Sequence, residues 1–178
     1  MRNNEGDFIA IMNIELSDHL VFSLYFDQKV LVMSNPNRNL FLGRWKLESC
    51  IGNSGGIHIY PIGREPFGML IYTEQYMMVF ISSVERTQFS TEDIRAIPSE
   101  QIVADFPKFE TYCGHYIVNH DEKIVTHFID NSKIPNQIGT QFRRYFSFEH
   151  EKLVLKSIDS LLLNDESWLF ELVWNKQE

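Results

Sequence analysis

From residue 42 onward this chain breaks into short runs in which apolar and polar side chains alternate. In residues 42–51, Trp45, Leu47, Ser49 and Ile51 fall on one side and Arg44, Lys46 and Glu48 on the other. A period of two is the mark of a β-strand with one dry and one wet face. Similar runs follow over residues 67–73, 77–83, 112–118, 123–130, 140–148, 153–157 and 168–175. Turn chemistry fills the gap after the first run, where Gly52-Asn53-Ser54-Gly55-Gly56 and Tyr60-Pro61-Ile62-Gly63-Arg64-Glu65-Pro66 make a long connection. Eight short strands so spaced predict an all-β fold, an eight-stranded up-and-down antiparallel β-barrel. Closure removes the exposed edges that an open sheet of that size would carry. A barrel of eight is just wide enough to be filled by side chains or to hold one small ligand.

The period changes once, between the third and fourth strands. Ser90-Thr91-Glu92-Asp93 and Ser99-Glu100-Gln101 both carry helix-start chemistry. Ile102, Val103, Phe106, Phe109 and Tyr112 fall near one helical stripe, which Pro107 ends or kinks. A short helical insertion is therefore expected there, placed to cover one end of the barrel.

Composition narrows the function classes. The chain has 178 residues, 44% of them hydrophobic and 13% aromatic, enough to fill a core. Its net charge is -8 and its only basic cluster is Arg143-Arg144, so nucleic acid and anionic membrane are poor partners. Cys50 and Cys113 fall in separate strands without a C-x-x-C, which favours a reduced, cytoplasmic setting over a disulfide framework. Residues 1–33 are apolar in part, but Glu15, Asp18, Asp27 and Lys29 break any membrane-length run, and Glu5 and Asp7 spoil a signal peptide. They read either as an extra element packed on the barrel or as an over-extended start, and the polar leader Met33-Ser34-Asn35-Pro36-Asn37 favours the second. The expected division is an N-terminal extension over 1–33 and a barrel domain over 34–178.

The order of motifs resembles the bacterial and fungal lipocalin-like domain family of the calycin group. The matches are Gly43-Arg44-Trp45-Lys46-Leu47, Tyr60-Pro61-Ile62-Gly63 with Pro66, Gly68-Met69-Leu70-Ile71-Tyr72-Thr73, and Tyr112-Cys113-Gly114-His115-Tyr116. Val125-Thr126-His127, Ser132 with Pro135-Asn136 and Gly139-Thr140, Arg144, and Leu153-Val154-Leu155 complete the series. The resemblance implies a closing pair, with the Arg144 guanidinium packed on the Trp45 indole at one barrel end. Arg144 also shares parity with Phe146 and Phe148, which Arg143 does not. Two departures stand out. The family commonly has glycine where this chain has Glu74-Gln75-Tyr76 and Glu149-His150-Glu151, and a type I′ turn needs positive φ, which Tyr and His tolerate poorly.

The candidate site lies inside. His127, the candidate catalytic residue, is a cavity-facing imidazole able to orient a ligand or move a proton, against the plainer role of a satisfied core histidine. Tyr72 and Tyr116 are its polar companions, and Asn136 is placed near the mouth. The expected ligand-binding residues are Leu47, Met69, Tyr72, Phe80, Tyr116, His127 and Phe146, with Trp45 and Arg144 as structural closure. Six histidines without an H-x-H or H-E-x-x-H predict no metal site, and no histidine is marked as a haem ligand, so no cofactor is expected. The leading reading is a protein that binds a small hydrophobic molecule inside its barrel, as a monomer or weak homodimer. The alternatives are a small isomerase or cyclase using His127 as acid or base, and a structural or interaction module docking through the insertion and the N-terminal segment.

Overall fold

The computed structural model describes residues 40–177, so the expectations for residues 1–33 lie outside the described residues. Among the described residues ten strands form one antiparallel sheet. They are β1 (Gly43–Ser54), β2 (Ile57–Ile59), β3 (Phe67–Tyr72), β4 (Tyr76–Ser82), β5 (Phe109–Asn119), β6 (Ile124–Ser132), β7 (Gln141–Glu149), β8 (Lys152–Ser157), β9 (Leu161–Leu163) and β10 (Glu166–Gln177). Because β1 pairs with both β3 and β10, the eight strands other than β2 and β9 close into the expected barrel.

β2 and β9 are the two strands that the alternation did not predict. β2 folds back on β1 through Gly55 and Gly56, both at positive φ, and turns part of the long connection into a hairpin. β9 folds onto β10 through Asn164 and Asp165, two residue types that enter the left-handed region at low cost.

Two irregularities set which side chains face inward. In β1 the pairing with β10 slips between Leu47 and Ser49, so the buried series runs Trp45, Leu47, then Cys50. Ser49 and Ile51, expected on the buried face, are only half-buried. The second slip sits opposite Gly114, where Asp130 is an extra residue in β6. A Cβ at Gly114 would overlap the Phe128 carbonyl oxygen, so this close approach admits glycine alone.

The insertion between β4 and β5 is shorter and looser than its pattern suggests. The one α-helix among the described residues, α1 (Ser99–Asp105), buries no residue, and Pro98 rather than Ser99 occupies its N-cap position. Ser90–Asp93 forms no helix: Thr91 and Asp93 accept backbone N–H bonds two residues on and make turns instead. Ile102 and Phe106 are about half exposed and Val103 is 71% exposed, so the predicted stripe does not pack. Polar ties hold the segment, chiefly the two-pronged Arg86–Asp105 pair and Lys133, which donates to the Phe106 carbonyl at 2.6 Å.

The two doubtful turns resolve differently. The β3–β4 turn avoids positive φ, and the Thr73 hydroxyl bonds both the N–H and the carbonyl of Tyr76. In the β7–β8 turn His150 does adopt φ 59, a strained position for a residue with a Cβ.

Candidate functional site

One end of the barrel is stopped by aromatic rings. Phe41, fully buried just before β1, packs edge-on to Tyr72, Phe146 and Phe148 with ring centroids 5.0–5.2 Å apart. Trp45 donates its indole N–H to the Phe41 carbonyl at 2.8 Å and so fixes the plug to the first strand. The cation on the Trp45 ring is Lys176, 4.2 Å from the centroid, and not the expected Arg144. Register explains the difference: Lys176 is the direct cross-strand partner of Trp45, whereas Arg144 lies opposite Val125 and Ser157. The Lys176 ammonium also donates to the Leu42 carbonyl, and partial burial lowers its pKa.

Above this plug the interior turns polar. Tyr112 and Tyr116 share the inner face of β5, and Tyr116 lies directly opposite His127 on β6. His127 is 1% exposed and bonded at both ring nitrogens: Nε2 meets the Tyr72 hydroxyl at 2.7 Å and Nδ1 the Tyr112 hydroxyl at 3.0 Å. Burial, reinforced by the nearby Arg144 charge, pushes its pKa well below the usual imidazole value, so the ring is neutral. Burial likewise lifts the Tyr72 pKa well above the usual phenol value, with Tyr112 adding to the rise.

A neutral ring donates through one nitrogen and accepts through the other. Tyr72 is buried and has only Nε2 to receive its proton, so Nδ1 carries the ring hydrogen and donates to Tyr112. The chain Tyr72→His127→Tyr112 thus has a direction. It ends at the half-buried Tyr112 hydroxyl, whose own proton has no acceptor among the described residues. Tyr116 is tied elsewhere, donating to the Thr73 carbonyl at 2.7 Å.

Arg144 stands beside this chain. It shares the inner face of β7 with Phe142 and Phe146, and Phe142 is the direct partner of His127. Its guanidinium lies 5.8 Å from the Phe142 ring centroid, and Phe142 in turn is edge-on to Tyr112 at 5.3 Å. Arg144 is 9% exposed, and among the described residues no carboxylate pairs with it and no oxygen accepts from it. Its charge also reaches Cys50, although burial dominates there and pushes that thiol up to about 11.

Of the residues expected to bind a ligand, Leu47, Tyr72, Tyr116, His127 and Phe146 do face the interior. Met69 and Phe80 do not: they are paired with each other on the outer face of β3 and β4, where Phe80 packs near Phe67. Asn136 is exposed in a 3₁₀ turn, Pro135–Gln137. Tyr112, Phe41 and Lys176 were not among the expected site residues. Tyr112 had a legible signal, since it shares strand parity with Tyr116, but it was read into the helical stripe.

Of two cavities, about 260 and 270 Å³, the second is lined in part by Tyr112, the last member of this chain of groups. One lies among Gln88, Gln101, Ala104 and Lys108 of the insertion, the other against Met78, Cys113, Asn131 and Lys133 across β4–β6. Among the described residues no three His, Cys, Asp or Glu side chains converge as metal ligands, and no helix is long and apolar enough to cross a membrane.

The model of the lipocalin-like domain family matches residues 42–177, the whole of the barrel. The chain belongs to the lipocalin-like domain family. Among curated proteins and solved structures none matches this chain. In this lipocalin-like barrel Trp45 belongs to the plugged end, and Arg144 stands beside the His127 chain.

Proposed function

We propose that this lipocalin-like protein binds a small hydrophobic molecule within its barrel, on the Tyr112 side of His127. The observation that carries the reading is the make-up of the inner wall. It is apolar around the ring, with Leu47, Leu70, Val79, Val125, Leu155 and Leu172 all buried. A few convergent polar groups, His127, Tyr72, Tyr112 and Arg144, interrupt it at mid-height. Apolar walls with a small number of placed polar groups are the usual character of small-molecule sites. Native mass spectrometry of freshly purified protein tests the reading, with a discrete small-molecule adduct expected. Thermal-shift screening of an apolar library follows, because a ligand at 100 times its dissociation constant stabilises by about 2.7 kcal/mol. No adduct and no stabilising compound in either experiment would remove the proposal.

A second reading, acid–base chemistry on a bound substrate as in an isomerase or cyclase, is favoured by the directed Tyr72→His127→Tyr112 chain. With both nitrogens of His127 engaged, Tyr112 is the group free to meet a substrate, and His127 is its positioning residue.

A further inference from the structure

We infer that the outer face of β3, β4 and β5 is where a second copy of this chain docks, making a reversible two-fold dimer. The inference is independent of what the barrel holds.

The contrast around the outside of the barrel carries it. A sheet with a dry inner face ordinarily presents a wet outer one. The β1, β7, β8 and β10 side does so, with the ion pairs Lys152–Glu48, Lys156–Glu171 and Arg143–Asp159. The outward residues of β3, β4 and β5 include no Asp, Glu, Lys or Arg. Ile71, Met78 and Cys113 form one cross-strand row there, and Met69, Phe80 and Thr111 the next. On this face Phe67, Tyr76, Met78 and Ile117 are 49–59% exposed. At roughly 150–250 Å² for a large side chain, these four leave on the order of 400 Å² of mostly apolar surface open. The largest apolar patch on an ordinary monomer is about 300–600 Å² and often functional.

Charge and shape select the occupant. A charged partner would bury its charges against this sheet with nothing of opposite sign to meet them, so the docking face must be uncharged too. Copies of this chain, at net charge -8, repel each other, and contact through β3–β5 turns their charged sides apart. The face is also self-complementary. Tyr76 and Met78 protrude beside a hollow of about 270 Å³ lined by Met78, Thr111, Cys113 and Asn131, so each copy offers both knob and socket. Because β4 is the middle strand and Met78 lies mid-strand, Met78 falls near the two-fold axis. With their half-buried neighbours added, two such faces cover about 1,000 Å² in total, the size of a transient rather than an obligate contact.

Sedimentation velocity of the full chain across the micromolar range tests this, with the mass expected to rise from one chain to two. Met78→Glu sets two like charges against each other near the axis, and it is expected to weaken the dimer about tenfold or more. Leu162→Glu, on the open edge of β9, is expected to leave it intact. A monomer at every concentration overturns the proposal. So does a dimer that survives Met78→Glu or is lost with Leu162→Glu, which would put the contact elsewhere. A second measurement uses wild type alone, since the chain has two cysteines and Cys113 is the less buried one. Its alkylation by iodoacetamide is expected to slow as the protein concentration rises. A rate that does not change while the mass doubles overturns the face, and this decides the matter should Met78→Glu fail to fold.

Discussion

The two halves of this barrel's interior differ in how far their polar groups are matched: neutral groups dominate the Phe41 end, and a full charge stands in the other. At the Phe41 end most polar groups have a partner: the Trp45 N–H has the Phe41 carbonyl, Lys176 has the Trp45 ring and the Leu42 carbonyl, and Tyr116 has the Thr73 carbonyl, while Nε2 of His120, whose ring lies against Phe146, has none. Around Arg144 the wall is just as dry, yet a full charge and a tyrosine proton are left without acceptors among the described residues. The first half is arranged for stability. The second keeps unsatisfied donors, the condition under which an arriving acceptor gains most.

The largest break in this comparison is Trp45→Ala. It empties a buried indole site and releases Phe41, and chemical denaturation is expected to show a loss of about 3–5 kcal/mol. A loss under about 1 kcal/mol would mean the plug is held by something other than Trp45.

The next is a pH dependence set by His127. Its folded pKa is depressed, so below about pH 6.5 the unfolded chain takes up a proton that the folded chain refuses. Stability is therefore full above that pH and falls as pH drops, by up to about 1.4 kcal/mol per unit, until the folded pKa is reached. His120, depressed more weakly by burial and by Lys123, acts in the same direction. His127→Gln can still bond both tyrosines, and it is expected to remove most of the slope. An unchanged slope would point to another group.

The smallest effect has the opposite sign. In ligand-free protein Arg144→Met is expected to raise stability by about 1 kcal/mol, because an apolar side chain replaces an unpaired charge. If unfolding experiments instead show a loss of 3 kcal/mol or more, Arg144 has a structural partner and the two halves are not different in kind.

Much of this was legible from alternation and parity, and the failures have physical causes. The period of two located all eight barrel strands, and the inward parity of Arg144 with Phe146 was read correctly. Its missing partner was not readable, since that requires knowing what all eight strands bring to the interior. Met69 was placed inside against a rule the sequence already supplied: Met69 and Tyr72 are three positions apart on one strand, so they face opposite sides, and Phe80 pairs with Met69 on the outer one. The slip after Leu47 was hidden because a bulge changes parity without changing composition. The insertion misled for a different reason. Its spaced apolar residues imitate a packed stripe, but a helix of seven residues buries none of them.

Closure between β1 and β10 joins Arg44 to Gln177, nearly the whole described chain apart. The ring can form only after the last strand has left the ribosome. Until then β1 and β8 are both open edges, ready to pair with whatever strand comes near. Growth of the chain is therefore the period of greatest aggregation hazard, and the long-range pairing that ends it belongs to the slow class of folding steps.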